Sequence, residues 1–497
     1  MRHASPYRKK TRKYITRVLH FSASLLFGLA TALPLQAADT DLPSLGGVGG
    51  GLISEQQEAA IGRQVMQSLR RSTQQIEDPL VVDYLGSMVY RLVPYAPLQN
   101  RDLSLVVIDS PEINAFAVPG GIIGVNGGLF LNANTEQQFA SVLAHELAHL
   151  SQRHFARRLE QQQTSTPMTI AGMLAGIILS AVTKSDVGIA AIAGTQALAI
   201  QNMLQYSRSN EQEADRVGID IMADAGLDPH GMPEMFEIMM RQNRLQGGQP
   251  PEYLSTHPLT QSRVSDSRSR ANQYPVKKNG DELEYHLVRA RLQVHYAQSA
   301  EQAAESLQAM LDSNTSGTPD AAIRYGVAVA NLEAGKIEAA QSIIEALLRE
   351  NPGRITYQVT LADVLTKRKQ YDQAIELMSK ALSRNPRNYP ITYALATAHY
   401  EAGNGRQAAE LFGQLTQRFP SYVNLWLNLS DAEGLARDIV GVHRARAEYD
   451  ILMGDLEAAG RQLREALNKV PPGTPVREIV TQRLTQVTKA LEQQRQQ

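Results

Sequence analysis

In the second half of the chain the same residue types return at a fixed interval. Ala340, Ala374 and Ala408 are 34 residues apart, and so are Pro352, Pro386 and Pro420. A period of this length describes paired helices stacked side by side, because alanine lets two helices approach closely and proline ends one. Tyr325, Gly326, Gly335, Tyr371, Tyr400 and Gly403 fill out the pattern. Degenerate copies flank the regular ones. Residues 287–310 carry Ala304 at the small position, while Gly454, Ala459 and Pro471 repeat the offsets of Gly335, Ala340 and Pro352. Pro471 lies 51 residues beyond Pro420, one repeat plus half of another, so an unpaired or irregular helix is expected around Trp426. Residues 284–487 therefore read as an all-α solenoid of three to five repeats, whose concave face suits a peptide or protein.

The first half has a different texture. Residues 54–93 read as largely helical, and Leu-Ser-Leu-Val-Val-Ile at 103–108 and Gly-Ile-Ile-Gly-Val at 121–125 read as two short strands of a small sheet. Between them Pro119, Gly120 and Gly121 demand a turn. Thr135 caps a further helix with Gln138 as its capping-box partner, and Phe139, Val142, Leu143, Leu147 and Leu150 give it an apolar face. Residues 168–182 and 188–200 are apolar almost all round, but each is shorter than the roughly 20 residues a helix needs to cross a bilayer. They read as a helical hairpin, buried or facing a membrane.

Seven basic residues (Arg2, Arg8, Lys9, Lys10, Arg12, Lys13 and Arg17) precede an apolar run and then Ala37 and Ala38. That order is the pattern of a secretory leader over residues 1–37, with an uncleaved anchor as the alternative. The whole chain has 49 basic and 50 acidic residues; without the leader 42 basic residues face 50 acidic ones, a charge of about −8 that does not suggest a general nucleic-acid binder. There is no cysteine. Disulfides, Cys nucleophiles and Cys-ligated zinc are therefore excluded, and any metal must be held by His, Asp or Glu.

His145-Glu146-Leu147-Ala148-His149 places two imidazoles four residues apart on one helical face, close enough to share a zinc ion. Glu146, beside the first ligand, can take a proton from the water that zinc acidifies and pass it to a leaving amine. A metzincin would continue with glycine at 152 and histidine at 155, but Gln152 and Phe155 stand there. His154, about 140° round the helix from His149, reads as a surface or second-sphere residue. The third ligand is sought in Ser-Asn-Glu-Gln-Glu-Ala-Asp at 209–215. Glu211 and Asp215 share a helical face and Glu213 points away, though spacing alone does not choose Glu211 over Glu213. With Glu211 as ligand, Asp215 is left to orient His145 or His149.

These motifs resemble the HtpX and CAAX-prenyl-protease type of zinc peptidase. The repeat period is similar to that of tetratricopeptide repeats, and a leader with such a tail resembles the periplasmic, assembly-assisting branch of those enzymes. The resemblance implies an α+β, mostly helical fold: a zincin-type metallopeptidase domain over 38–270 followed by the repeats. It implies one Zn2+ per chain held by His145, His149 and Glu211, with Glu146 as catalytic base and Asp215 as supporting acid. The family's substrate-side segment, Asn-Ala-Phe-Ala-x-Pro-Gly-Gly, falls on residues 114–121, so Asn114, Ala115 and Phe116 are candidate substrate contacts. Its His-Pro motif falls on His257 and Pro258, with Arg263 beyond. His257 is then a regulatory group able to fill the open zinc position, a transition-state donor, or a structural residue. The activity implied is hydrolysis of misassembled or stalled outer-membrane β-barrel proteins, with the barrel assembly machinery as partner and peripheral contact with the inner face of the outer membrane. The alternative is a chaperone-like assembly factor with latent protease activity.

Overall fold

The computed structural model describes residues 54–162, 207–245, 251–277, 282–313 and 317–496. The expected leader at 1–37 and the expected hairpin at 168–200 lie outside these residues. Helix α1 (Glu55–Ser72) opens with a reciprocal capping box between Ser54 and Gln57 and buries Ile61, Val65, Met66 and Leu69. Helix α2 (Pro79–Leu92) starts on Asp78, whose side chain accepts from Leu80 N, with Pro79 in the first turn where a missing N–H costs nothing.

Three strands follow, β1 (Ser104–Ile108), β2 (Ala115–Val118) and β3 (Ile122–Asn126), in the spatial order β1-β3-β2. β1 runs parallel to β3 and β2 antiparallel to it. The two expected strands are present, and β2 is an addition from inside the stretch that sequence reads as turn. All four of its residues are buried, so the polar alternation that would mark a half-exposed strand is missing. The β2–β3 link uses Gly120 and Gly121 at φ +84° and +77°, torsions that only glycine adopts cheaply.

Helices α3 (Gly127–Asn132), α4 (Glu136–Ser151) and α5 (His154–Gln162) come next. Beyond the undescribed segment lie α6 (Arg208–Asp224), α7 (Gly231–Leu245), α8 (Glu252–Thr256) and α9 (Gln261–Ala271). No described helix is long and apolar enough to cross a membrane. One hydrophobic core joins α2, the sheet, α4, α6 and α7, and a second lies between α1 and the sheet.

From Leu283 the chain is a run of antiparallel helices: α10 (Leu283–His295), α11 (Ala300–Ser313), α12 (Asp320–Glu333), α13 (Ile337–Glu350), α14 (Ile355–Lys367), α15 (Tyr371–Arg384), α16 (Tyr389–Glu401) and α17 (Gly405–Arg418). It ends in α18 (Val423–Leu435), α19 (Ile439–Met453), α20 (Leu456–Lys469) and α21 (Pro475–Gln496). Ala340, Ala374, Ala408 and Ala459 are all fully buried. Gly335, Lys369, Gly403 and Arg437, again 34 apart, all turn the chain with φ between 61° and 82°. Gly454 makes the same turn half a repeat later, at φ +80°, which is why three helices rather than two separate Pro420 from Pro471.

The repeats are joined to the first half by polar contacts as well as packing. Asp78 caps α2 with one carboxylate oxygen and binds Arg291 Nε at 2.6 Å with the other. Arg291 Nη1 continues to Tyr325 Oη at 2.8 Å. Tyr285 Oη donates to the carbonyls of Phe130 and Ala133, and Arg70 donates to those of Ser421 and Leu452. Beside this seam, burial lifts the partly buried Asp363 carboxyl to about 7 despite the Arg291 charge.

Two measurements test these energetics. Gly335→Ala adds a methyl to open space, so its cost is the left-handed torsion alone, about 1 kcal/mol, and Lys369→Gly at the equivalent turn should shift the urea midpoint the other way. An unfolded Asp titrates near about 4, so the stability Asp363 contributes is complete below that pH and is lost as pH rises through about 7. Asp363→Asn should therefore lose less thermal stability than the native chain between about pH 5 and pH 8.

Candidate metal centre

Helix α4 has the expected apolar face, but burial is not confined to it: every residue from Gln137 to His149 is buried, because β2, α6 and α7 pack around it. Its cap also differs from expectation. Thr135 accepts from Gln138 N, yet the Gln138 amide oxygen accepts from Asn134 N at 2.7 Å, one residue before the cap. The Gln138 Nε2 donates to Glu234 on α7, which binds the start of α4 to a neighbour.

α6 crosses α4 at Gly218, where a methyl group would stand 3.2 Å from His145 N and 3.3 Å from Ala144 C. This close approach carries Glu211 and Asp215 to the paired imidazoles. His145 Nε2 lies 3.6 Å from Glu211 Oε2, His149 Nε2 lies 3.4 Å from Glu211 Oε1, and the two Nε2 atoms are 2.9 Å apart. His257, following α8, adds Nδ1 at 3.0 Å from Glu211 Oε1. One ligand atom from each of His145, His149, Glu211 and His257 lies within 4.8 Å of the other three, and all four residues are buried.

This donor set fits a metal ion. Three imidazoles and a carboxylate supply the nitrogen and oxygen ligands that zinc accepts, in a space of the right size. The buried Glu146 Oε1 makes no hydrogen bond and stands 3.5 Å from His257 Nε2. A carboxylate without a hydrogen-bonded partner at this depth is costly unless something else is meant to meet it.

Further out, His145 Nδ1 lies 3.0 Å from Asp215 Oδ1, although the approach is off the line of an ideal hydrogen bond. Arg263 holds Asp215 through two bonds, Nε to Oδ2 at 2.8 Å and Nη2 to Oδ1 at 2.7 Å. Its Nη1 lies 2.7 Å from Glu211 Oε2 and 2.8 Å from Pro258 O, and the guanidinium rests over Phe236. Burial would raise the Glu211 carboxyl, but the His257 charge and hydrogen bonds from His145 and His149 hold it well below the usual carboxylate range. Burial drives the His149 imidazole well below its ordinary value. Burial opposes protonation of His145 too, yet the nearby Asp215 and Glu211 carboxylates prevail and lift it to about 9.

The candidate substrate segment is placed differently from a row of exposed contacts. Asn114 is buried and donates through Nδ2 to Glu252 Oε1, Ala115 is fully buried, and Phe116 packs beneath α1 against Gly124. β2 is an edge strand, so what it can offer a ligand is backbone rather than these side chains. Glu213 stays away from the cluster and pairs with His154 and Arg157. Sequence reasoning did not single out Tyr253, which is buried and stacks on His257 with ring centroids 4.6 Å apart. Its position four residues before His257 across the short helix α8 was the available signal.

The description Peptidase family M48 matches residues 79–271. The Escherichia coli (strain K12) protein named "Beta-barrel assembly-enhancing protease" is 34% identical over 455 residues, covering 91% of this chain and 92% of that one. The chain belongs to peptidase family M48. A "Putative beta-barrel assembly-enhancing protease" of Vibrio cholerae serotype O1 is 35% identical over 84% of this chain and 86% of its own. "Mitochondrial metalloendopeptidase OMA1" of Schizosaccharomyces pombe is 27% identical over 41% of this chain and 56% of its own. Tetratricopeptide-repeat descriptions match residues 296–355, 331–390 and 365–432. This M48 chain is a metalloprotease with a mostly helical fold, a small sheet and a tetratricopeptide tail, as the motifs implied. The family implies a metal, and the buried His-His-Glu-His group can hold one.

Asp215→Asn should weaken metal binding about 10- to 100-fold in a chelator competition, with the far-UV spectrum unchanged, because the orienting charge behind His145 is lost while an acceptor remains.

Proposed function

We propose that this M48 enzyme is a periplasmic zinc endopeptidase that cleaves stalled or misassembled outer-membrane β-barrel proteins and assists barrel assembly through its repeats. The observation that carries the reading is the buried quartet of His145, His149, Glu211 and His257 arranged beside Glu146. The export pattern of residues 1–37 supports a periplasmic location, and the names of the relatives support the client class. The repeats are the natural surface for a client or for the barrel assembly machinery. Segment 168–200 is the proposed point of peripheral contact with the outer membrane.

His145, His149 and Glu211 would hold zinc, which would supply acidified water and a polarising charge for the scissile carbonyl. Glu146 would accept a proton from the attacking water and deliver it to the leaving amine. Asp215, fixed by Arg263, holds His145 with Nε2 turned to Glu211 and His149, where it would meet the metal. An extended substrate adds as a strand to the β2 edge, next to α4.

His257 gives this enzyme a resting state. As a fourth donor beside His145, His149 and Glu211, His257 would keep water and substrate out of the site until α8 moved. α8 is tied to the substrate segment by Asn114 to Glu252 and by Tyr253 N to Ile113 O at 3.3 Å. A strand arriving at β2 disturbs that anchor. The same latency favours a second reading, an assembly factor that seldom cleaves.

Glu146→Gln should reduce cleavage of an unfolded barrel protein roughly 100- to 10,000-fold while zinc content, measured by metal analysis, stays at one per chain. His257→Ala should raise basal cleavage with zinc still bound. If Glu146→Gln restores every envelope defect of a deletion strain, the assembly-factor reading is the correct one.

A further inference from the structure

The two ligand imidazoles of α4 are supported in different ways. Behind His145 stands a carboxylate, Asp215, held by Arg263. Behind His149 stands another imidazole: His149 Nδ1 and His154 Nδ1 are 2.8 Å apart. His154 is fully buried, and its Nε2 lies 3.1 Å from Glu213 Oε2, which Arg157 Nη2 also reaches at 3.2 Å.

We infer that His154, Glu213 and Arg157 form a second orienting chain for the metal centre, with His154 as a positioning residue that fixes the tautomer of His149. The inference rests on His149 being a zinc ligand, as proposed above. His149 turns Nε2 to the cluster, where that nitrogen must offer a lone pair, so its hydrogen is on Nδ1. Nδ1–H then donates to Nδ1 of His154, which must be bare. The hydrogen of His154 is therefore on Nε2, where Glu213 accepts it. Every nitrogen in the sequence has one role, and the carboxylate at the outer end sets them all. Reversing any ring would put two hydrogens or two lone pairs face to face.

The backbone is shaped to place His154 there. A straight continuation of α4 would carry residue 154 about 140° round the helix from His149. Instead the chain breaks at Arg153, a non-glycine residue at φ +49°, and restarts as α5. Arg153 is held in that costly torsion by Glu58 of α1, through Nε at 3.1 Å and Nη2 at 2.7 Å. Helix α6 then serves the centre three times, with Glu211 facing the metal site, Asp215 behind His145 and Glu213 at the end of the second chain. The two chains differ in exposure: Asp215 and Arg263 are buried, whereas the Glu213 and Arg157 side chains are 41% and 40% exposed.

The test uses the full chain loaded with zinc, reading the rate of zinc transfer to an excess of chromogenic chelator and the imidazole tautomers in a long-range 1H–15N spectrum. His154→Phe keeps the ring and removes both bonds, so zinc should leave about 10-fold faster or more. His154→Asn keeps an acceptor for His149 and should recover part of that loss. Glu213→Ala, altered where the side chain is 41% exposed, should also speed release, and Glu213→Gln, which still accepts, should not. The spectrum should show His154 protonated on Nε2. A hydrogen on Nδ1 of His154, or release from Glu213→Ala at the native rate, overturns the inference even if His154→Phe fails to fold. If His149→Ala binds zinc as tightly as the native chain, the zinc reading itself falls and this one with it. If His149→Ala loses zinc while Glu213→Ala behaves as native, this inference alone falls.

Discussion

Everything at the centre depends on α6 lying against α4. Glu211, Asp215 and Arg263 are charges taken almost wholly out of water, together with three imidazoles. Each would cost several kcal/mol alone, so none is tolerable without the others in place. The backbone contact at Gly218 allows the pairing: an added methyl would stand 3.2 Å from His145 N, so a larger side chain there would have to widen the crossing that brings the carboxylates to the α4 histidines. Burial and function are thus one requirement. The low dielectric that makes these charges expensive also makes each contact between them strong and directional.

The described repeats are joined to the first half by side-chain hydrogen bonds. Asp78 divides its carboxylate between the start of α2 and Arg291, and Arg291 continues into the repeats through Tyr325. Tyr285 packs among Tyr84, Phe130 and Phe139 while its hydroxyl satisfies two carbonyls near the end of α3. Arg70 does the same further along, reaching the carbonyls of Ser421, just before α18, and of Leu452, in the last turn of α19.

Local rules were readable where a single period governs them. Two histidines four apart on a capped helix can only face one way, and the 34-residue return of alanine and proline can hardly be anything but stacked helix pairs. The 51-residue gap before Pro471 also carried its meaning, since the turn at Gly454 marks the half repeat. What failed to show was anything set by neighbours distant in sequence. β2 has no alternation because it is covered on both faces, α4 has no wet side because three elements enclose it, and Gln138 reaches Asn134 and Glu234 instead of closing a standard box.

The residue types, their helical spacing and the repeat period determined, from sequence, a metal-binding helix, an acidic helix that could complete it, and a solenoid tail. Tertiary structure decided which carboxylate meets the imidazoles, that His257 joins them, that Asn114 anchors α8, and that His154 stands behind His149. The reason is geometric. Periodicity fixes directions within one element, whereas the distance between two elements depends on the side chains at their crossing and on the loops that deliver them. Here those are Gly218 and the left-handed turn at Arg153, neither of which any pattern in the chain announces.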